Sequence, residues 1–405
     1  MKLDQLLQRE DFVPIFIATL THYFRSSKQW EGGIHWGLHG NRYDINLIVN
    51  SRLNLIYPIT LPTDQLIPLV AEYAYHTNPL RRWAQKLYIR VTVAPFFRRF
   101  FSRTKLHITK KFNLPYEFCI LPGNHSIRVV DLQSDQCVVI QKKGFSSSKL
   151  ANTVSVRLAY PDMPGPKILD SNIADGWYLE ERIVGLPADR LGSEERIKKS
   201  LSATKNFLMK MYTDTTISEE SFAYIGKKFK AIDVAIDSLP DCYQNTDLDY
   251  IKETKSRLVK ISDSVLKKNC TVQISQTHGD LQAANLLVPT NDVTRDVYII
   301  DWEYAGMRCC HYDWFVYGLR SRAPKGLASR IEFLLKCGSH TRSKIDWYDF
   351  SKESFSRVKV LVVLFLIEDF LFRLDDTSIP NLSEIPVGFL SFIKEIRIMS
   401  KFDFD

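Results

Sequence analysis

The stretch from Thr277 to Gly306 combines acidic and amide side chains at spacings that suit phosphate chemistry. His278, Asp280 and Asn285 share one polar loop, and Asp301 ends the apolar run that follows it. Two short apolar runs separated by turn-forming residues predict a β-hairpin with polar groups at both ends. A carboxylate can accept the proton of an attacking hydroxyl, and amide and carboxylate oxygens are ligands that Mg²⁺ prefers. The pattern therefore indicates phosphoryl transfer.

The spacing within this stretch suggests a role for each polar residue. Four residues separate Asp280 from Asn285, so one loop can bring the carboxylate to an acceptor and the amide to a metal ion. Asp301, at the end of the next strand, would meet the metal from the other side. Each residue also has an ordinary structural interpretation, as a turn cap, a partner of backbone groups or the start of a loop. The combination of all three favours the catalytic interpretation.

Composition and length indicate an ordinary globular protein. The chain has 405 residues, of which 45% are apolar and 25% charged, and this length is enough for two or three domains. The first residues, MKLDQLLQRE, are acidic where a secretory signal is basic, and the apolar run Val360 to Ile367 is too short to span a membrane. Seven scattered cysteines without a CxxC pair favour reduced thiols. These features predict a cytoplasmic protein.

The net charge of +8 is concentrated in one part of the chain. Residues 1–111 hold 16 Lys and Arg against 7 Asp and Glu, whereas residues 112–405 hold 38 against 39. Within the first part, Arg81 to Lys111 contains ten basic residues and no acidic one. The basic character therefore belongs to one segment and not to the region with the predicted catalytic residues.

Three interpretations of Arg81 to Lys111 are open. The helical spacing of Trp83, Leu87 and Val91 predicts an amphipathic helix that breaks at Pro95, and this helix could pack against a neighbouring domain. Alternatively, the segment binds an anionic membrane surface or another anionic partner, which would place the protein at the inner face of a membrane. The run FFRRFFSR also suits a nucleic-acid arm, with basic residues on phosphates and rings on bases. Nucleic acid is the least favoured partner.

A second candidate region, for nucleotide binding, lies between residues 116 and 144. Three alternating strands are predicted between residues 116 and 144, with Gly123 in the first turn and Lys142 and Lys143 at the end of the third strand. Backbone amides at such a turn can approach phosphates, and a strand lysine can reach them. Residues 176–187 predict a further strand that ends at a glycine corner, as a hinge between two lobes requires.

At HGDLQAANLL (278–287), IIDWEYAG (299–306) and HYDWFVYG (311–318) the sequence resembles the aminoglycoside phosphotransferase and choline kinase superfamily. These proteins are small-molecule kinases with a protein-kinase-like fold, and the resemblance implies ATP and Mg²⁺ as cofactors. It also implies roles for ten residues. These are Asp280 as catalytic base, Asn285 and Asp301 as metal ligands, Lys142, Gly123, Glu181 and Ile183 at ATP (the last two in the hinge that holds the adenine), and His278, Gln282 and Asp313 as supports of the catalytic loop.

The implied fold is α+β and bilobal, with a small β-rich N-lobe at residues 113–184 and a larger helical C-lobe at residues 185–405. Residues 1–112 would form an added basic N-terminal module. One departure concerns the small-lobe helix, where the family usually carries a glutamate that pairs with the lysine. The segment SKLANTVSVRLAY (148–160) has no acidic residue, and Asn152 lies near the expected position. The alternative function is therefore a kinase-fold scaffold that binds nucleotide or a partner without chemistry.

The acceptor is predicted mainly from charge. A polycationic aminoglycoside favours an acidic cleft, whereas the region with the catalytic motifs is close to neutral. Choline or ethanolamine would require an aromatic cage, for which Trp302, Tyr304, Tyr312 and Trp314 are near the motifs in sequence. The basic segment could hold the chain near an anionic lipid or saccharide. The favoured acceptor is therefore a hydroxyl of a sugar or of a sugar- or lipid-linked alcohol.

Overall fold

The chain forms two compact units. The computed structural model describes residues 3–28, 30–37, 44–74, 78–98, 100–101, 104–109, 117–239, 245–290, 292, 294–337, 354–377, 385–400 and 402. Unit 1 comprises Met1–Ser200 and Leu286–Glu303, and unit 2 comprises Leu201–Asn285 and Tyr304–Asp405. Within the described ranges, no helix is both long enough and apolar enough to cross a membrane.

The described residues form fifteen strands and twelve α-helices. The strands are β1 (Ile34–Gly37), β2 (Asp44–Asn50), β3 (Leu55–Pro58), β4 (Lys105–Thr109), β5 (Phe118–Pro122), β6 (Ser126–Asp131), β7 (Gln136–Gln141), β8 (Ile168–Asn172), β9 (Trp177–Glu181), β10 (Gly185–Pro187), β11 (Ile217–Glu220), β12 (Thr271–Thr277), β13 (Leu286–Pro289), β14 (Tyr298–Ile299) and β15 (Gly306–Cys309). The helices are α1 (Leu3–Arg9), α2 (Phe12–Lys28), α3 (Thr63–Val70), α4 (Pro79–Val93), α5 (Ser148–Ala159), α6 (Glu194–Thr215), α7 (Ser221–Asp237), α8 (Asn245–Val265), α9 (Tyr312–Gly318), α10 (Leu327–Cys337), α11 (Phe355–Thr377) and α12 (Val387–Met399).

Unit 1 is organised around one antiparallel sheet, whose described strands follow the order β1-β4-β2-β3-β5-β6-β7-β9-β8. Apolar residues lie on both faces of this sheet, so one face is buried under helices α1 and α2 and the other packs against α3, α4 and α5. A smaller sheet of the same unit pairs β10 with β13 and β13 with β14. The predicted meander (β5, β6, β7) and the predicted hairpin (β13, β14) are therefore both observed.

Unit 2 is mainly helical around a small sheet of β11, β12 and β15. Helix α11 is buried along most of its length, because its sequence is apolar on every side from Val360 to Ile367. It packs against α7, α8, α9 and α10. The α+β class that the sequence predicts is confirmed, with a sheet-rich unit and a helix-rich unit.

The division between the units differs from the predicted domain boundaries. The described strands before residue 112 belong to the same sheet as those after it, because β3 pairs with β5 through Ile56 and Ile120. Phe12 and Phe16 of α2 share a buried apolar cluster with Ile127 of β6. The segment that the sequence predicts as an added module is therefore part of the core of unit 1.

A buried ion pair joins the N-terminal helices to this sheet. Lys142 follows β7, and its Nζ lies 2.5 Å from Oε1 of Glu10, which lies between α1 and α2. Neither side chain is accessible to solvent. The backbone N–H of Lys143 donates to Oγ1 of Thr19 in α2 at 2.9 Å. Glu10 thus supplies the carboxylate that the segment of α5 lacks.

Removal of the Glu10 charge is expected to destabilise unit 1, because Lys142 would remain charged and buried without this carboxylate. Glu10→Gln should lower the free energy of unfolding by about 3 kcal/mol. Glu10→Leu combined with Lys142→Met removes both charges and should cost less. Urea unfolding measures both effects, with Glu31→Gln at an exposed position of the same unit as the control. An equal loss in the single and double variants would contradict the role of the pair.

Candidate active site

Asp301 lies just after the hairpin of β13 and β14 in unit 1. Its backbone φ is 61°, in the left-handed region that residues with a side chain rarely adopt. Such conformations cost free energy and cluster at functional positions. Arg128 of β6 places Nη2 2.6 Å from Asp301 Oδ1, and 36% of the Asp301 side chain is exposed. The hairpin and this guanidinium therefore hold a partly exposed carboxylate in one position.

Two carboxylates influence the charge of Arg128, and one of them, Asp301, is in direct contact with it. Asp301, in direct contact, raises the pKa of Arg128 above its ordinary value in spite of burial, and Glu180 of β9 adds to this effect. Glu180 also pairs with Arg157 of α5, with Nη1 and Oε2 2.6 Å apart. Burial raises the pKa of Glu180, while Arg157 and Arg128 oppose the rise. Arg128 thus connects the predicted metal ligand to a buried network of the sheet.

The two lysines after β7 face in opposite directions. Lys142 is buried, whereas Lys143 is exposed. The Nζ of Lys142 lies 5.1 Å from the ring centroid of Phe12 and 5.3 Å from that of Phe145. Together with Glu10, these rings enclose the ammonium group. The contact of Lys142 with ATP stays a prediction.

The other residues predicted at ATP lie at strand ends of unit 1. Gly123 forms the turn between β5 and β6, where a Cβ would meet the carbonyl oxygen of Ser126 at 2.7 Å. Glu181 ends β9 and accepts a hydrogen bond from the backbone N–H of Lys167 at 3.2 Å. Ile183 is half-buried between β9 and β10. Their roles at a nucleotide stay predictions.

In unit 2, Asp313 fixes the loop that follows β12. Its carboxylate accepts hydrogen bonds from the backbone N–H groups of His278 at 2.7 Å and Gly279 at 2.9 Å, and from the hydroxyl of Tyr212 at 2.7 Å. Gly279 has a φ of +87°, and a Cβ there would meet the carbonyl oxygen of Tyr304 at 2.1 Å. Only glycine suits this position. The chain is therefore turned sharply just before Asp280.

Three side chains hold the carboxylate of Asp280. Arg322 donates from Nε to Oδ1 at 2.6 Å, and Gln282 donates from Nε2 to Oδ2 at 2.9 Å. Asn285 donates from Nδ2 to the Asp280 carbonyl oxygen at 2.8 Å and to Oδ2 at 3.3 Å. The buried His278 accepts at Nδ1 from the Asp280 backbone N–H at 3.2 Å. The loop therefore presents one oriented carboxylate, as general-base catalysis requires.

Arg322, which the sequence motifs do not include, ties the loop to the helical core. Besides Asp280, its guanidinium donates to the carbonyl oxygen of Gly279 at 3.1 Å and to the carboxylate of Asp369 in α11. The guanidinium carbon lies 3.9 Å from the ring centroid of Phe372. These contacts fix Arg322 on several sides, so it can hold the Asp280 carboxylate in place.

Asp369 supplies the negative charge behind Arg322. Its carboxylate also accepts hydrogen bonds from the hydroxyl of Tyr312 and from Nε of Arg373, both at 3.0 Å. Burial alone would raise the pKa of Asp369, but Arg322 and Arg373 outweigh this effect and lower it below its ordinary value. Asp369 is therefore ionised at neutral pH.

Of the three residues that sequence analysis missed, Arg128 and Asp369 lie far from the motifs along the chain, whereas Arg322 lies four residues after one of them. Arg128 is a single charge in an alternating strand, and Arg322 follows α9 in a turn, so neither position carries a spacing signal. Asp369 had a signal, because Glu368 and Asp369 interrupt the otherwise apolar run of α11. Buried charges require partners, so this interruption predicts buried cations nearby.

Oxygen atoms suited to Mg²⁺ are available on both predicted ligands. Because Asn285 donates through Nδ2, its Oδ1 is the atom that could bind a metal, and Asp301 offers Oδ2 beside the oxygen bound by Arg128. Across the described ranges, no group of three or more His, Cys, Asp or Glu side chains could hold a metal ion. Mg²⁺ that binds with substrate phosphates needs only one or two protein oxygens. The donor types therefore fit Mg²⁺ bound together with a nucleotide.

The aromatic residues near the motifs are mostly core residues. Trp302, Tyr312 and Trp314 have exposed fractions of 0%, 0% and 3%. The hydroxyl of Tyr304 donates to Oδ1 of Asp376 at 2.6 Å. A cage for a quaternary ammonium requires ring faces that the ligand can reach. Three of the four rings are too buried for this function.

No protein-family model and no curated protein matches the sequence. Among solved structures, the chain is similar to choline kinase LicA from Streptococcus pneumoniae, with 14% identity, a TM-score of 0.45 and coverage of 70% of this chain and 94% of that one. A second similar structure is aminoglycoside phosphotransferase APH(3'')-Id from Streptomyces rimosus, with 18% identity and a TM-score of 0.37. The match covers 64% of this chain and 92% of that one. Choline kinase from Cryptosporidium parvum follows with 15% identity, a TM-score of 0.42 and coverage of 71% and 90%.

The lowered pKa of Asp369 predicts an acid-sensitive contribution to stability. Since the folded pKa lies below the unfolded value of 3.8, the stabilisation is present above this pH and is lost as the pH falls through the folded pKa. Asp369→Asn should therefore lower the free energy of unfolding at neutral pH, and the difference from wild type should shrink below about pH 4. Urea unfolding across pH tests this, with the exposed Asp263→Asn as control. A difference that does not change with pH would contradict it.

Proposed function

We propose that this chain is an ATP- and Mg²⁺-dependent phosphotransferase that moves the γ-phosphate of ATP to a hydroxyl of a small molecule. The observation that carries the proposal is the loop after β12. There Asp313 fixes the backbone, while Arg322 and Gln282 orient the carboxylate of Asp280. A partly exposed carboxylate, held by charge and followed by an amide ligand, is suited to accept a hydroxyl proton.

In the proposed reaction, the acceptor oxygen forms a bond to the γ-phosphorus while the bond to the bridging oxygen of ADP breaks. The hydroxyl proton passes to the carboxylate of Asp280. Bound Mg²⁺ would neutralise charge on the phosphates, with oxygens of Asn285 and Asp301 as ligands. Arg322 keeps Asp280 in one orientation, so little reorganisation is needed when the proton moves.

The acceptor class that we propose is a sugar or a sugar- or lipid-linked alcohol. Residues 112–405 are nearly neutral, with 38 Lys and Arg against 39 Asp and Glu, which does not favour a polycationic aminoglycoside. Burial of Trp302, Tyr312 and Trp314 removes three rings from any cage for choline or ethanolamine. A neutral polyol is the acceptor class that these two observations leave most favoured.

Loss of the proposed base should abolish most turnover. Asp280→Ala is expected to lower kcat by at least about two orders of magnitude, because the variant lacks the proposed general base. ADP release would be measured with ATP, Mg²⁺ and a panel of sugars, glycolipids, choline and aminoglycosides. Asp237→Ala, at an exposed site on α7, is the matched control. Equal turnover of Asp280→Ala and wild type with every acceptor would rule out the proposed role.

Arg128 is the cation that we propose to face the nucleotide phosphates. Its side chain is 33% exposed and touches Asp301, whereas the side chain of Lys142 is inaccessible to solvent. Arg128→Met should lower kcat/KM for ATP on the order of a hundredfold, because it removes a positioned cation that would stabilise negative charge on the phosphates. Steady-state kinetics would compare it with the double variant Glu10→Leu and Lys142→Met. A larger loss in the double variant would assign the phosphate contact to Lys142 instead.

One observation favours a second function, a scaffold that binds nucleotide or a partner without chemistry. The ammonium of Lys142 is enclosed by Glu10, Phe12 and Phe145, so in this conformation it is not accessible to phosphate. A scaffold should be stabilised by ATP against heat without any turnover. The increase in melting temperature with ATP should be the same with or without Mg²⁺ and in the Asn285→Ala variant. For a kinase, by contrast, both Mg²⁺ and the Asn285 side chain should be needed for full stabilisation by ATP.

A further inference from the structure

Helix α4 and the turn after it expose an unusual concentration of large apolar side chains. We call the exposed side chains of α4 and of residues 95–97, 100 and 101 the α4 surface. Of the nineteen large apolar side chains that the described residues expose, seven lie here. These are Leu80, Trp83, Leu87, Phe96, Phe97, Phe100 and Phe101. Single exposed apolar residues are normal, but a contiguous group marks an interaction site.

The α4 surface is held in place from inside unit 1. Asn78 caps the helix, with Oδ1 accepting from the backbone N–H of Leu80 at 2.9 Å. The buried Arg98 donates from Nη1 to the carbonyl oxygens of Ile59 at 2.8 Å and Leu61 at 2.9 Å. The ring of Tyr88 contacts Phe101 edge to face, with centroids 6.0 Å apart. The aromatic residues are therefore presented by a fixed turn.

Basic residues accompany this apolar group. Arg81, Lys86 and Arg90 are exposed on α4, and the sequence from Arg81 to Lys111 contains no acidic residue. Helical spacing places the row of Lys86 and Arg90 beside the stripe of Leu80, Trp83 and Leu87. Arg98 is the exception, because it points inward and serves the fold. The result is an apolar surface bordered by positive charge.

We propose that the α4 surface binds the anionic surface of a lipid bilayer. Tryptophan and phenylalanine side chains partition into the headgroup region, and long basic side chains keep their charges at the lipid phosphates. Each Lys or Arg near an anionic membrane strengthens binding by about fivefold. The surface thus places unit 1 on a membrane without a spanning helix.

The arrangement of the rings favours a bilayer over single-stranded nucleic acid. Nucleic-acid binding uses separate ring faces on which successive bases stack. Here Phe96 packs edge to face on Phe97, with centroids 5.1 Å apart, and lies 6.2 Å from Phe100. These rings form one apolar cluster, which suits insertion between headgroups. The positive border provides the charge complementarity to anionic lipid.

Sedimentation with vesicles tests this proposal. The full chain should bind phosphatidylcholine vesicles that contain phosphatidylglycerol, should not bind vesicles of phosphatidylcholine alone, and should bind less at high salt. Arg81→Gln, Lys86→Gln and Arg90→Gln together should lower the partition coefficient on the order of a hundredfold. The control replaces three exposed lysines outside the surface, Lys198→Gln, Lys252→Gln and Lys260→Gln.

The apolar part is tested by Trp83→Ser with Phe96→Ser and Phe100→Ser. This variant should lose binding, whereas Phe222→Ser with Val234→Ser and Phe333→Ser, at positions with 50%, 60% and 50% exposure, should not. Brominated lipid should quench tryptophan fluorescence of the wild type, and Trp83→Phe should remove this quenching. Trp83 is the most exposed tryptophan of the described residues, at 66%.

Several results would overturn the proposal. These are absence of binding to anionic vesicles at low salt, equal loss in the control variants, and self-association or RNA binding through the same side chains without vesicle binding. Asp280→Ala should bind vesicles as the wild type does. Vesicle binding is therefore independent of the proposed phosphotransfer, and failure of either proposal leaves the other one intact.

Discussion

The conformation of the loop after β12 depends on hydrogen bonds to the buried carboxylate of Asp313. This one side chain accepts from two successive backbone N–H groups, of His278 and Gly279, and from the hydroxyl of Tyr212. Charge-assisted hydrogen bonds of this kind are stronger than neutral ones. Without the carboxylate, three buried donors would lose their partner at once. The left-handed turn at Gly279 follows from this arrangement, and with it the position of Asp280.

Arginines hold both acidic residues to which we assign chemistry. Arg322 binds Asp280 in unit 2, and Arg128 binds Asp301 in unit 1. Arg322 is in turn held by the carboxylate of Asp369, and the charge of Glu180 adds to the electrostatic environment of Arg128. Such pairs do not add much to stability, because desolvation offsets the attraction. They orient the carboxylates instead, and orientation is what positions a base or a metal ligand for reaction.

Sequence analysis predicted the elements that local pattern determines. The strands around Gly123, the hairpin that ends at Asp301 and the loop with Asp280 each lie in one short stretch, where alternation, turn residues and spacing are informative. Contacts between distant parts of the chain were not predictable in this way. The sequence could show that α5 lacks an acidic partner for Lys142, but not that Glu10 provides one.

The predicted boundary at residue 112 has the same explanation, because it too depends on contacts between distant parts of the chain. A change in charge is visible in the sequence, whereas the pairing of Ile56 with Ile120 across two strands is not. The basic segment itself was only partly predicted. Its helix was expected to have one apolar side, and α4 does bury Ile89 and Val93. That Trp83 and Leu80 face outward depends on how the helix packs in unit 1.

The transfer of the terminal phosphate is the measurement that tests the central claim most directly. With ATP labelled in the γ-phosphate, label should appear on the hydroxyl of an acceptor only when Mg²⁺ is present, with one ADP formed for each product molecule. A chelator such as EDTA should stop the transfer. ATP that binds to the chain while its label never reaches any acceptor or water would contradict the assignment of Asp280 as a base.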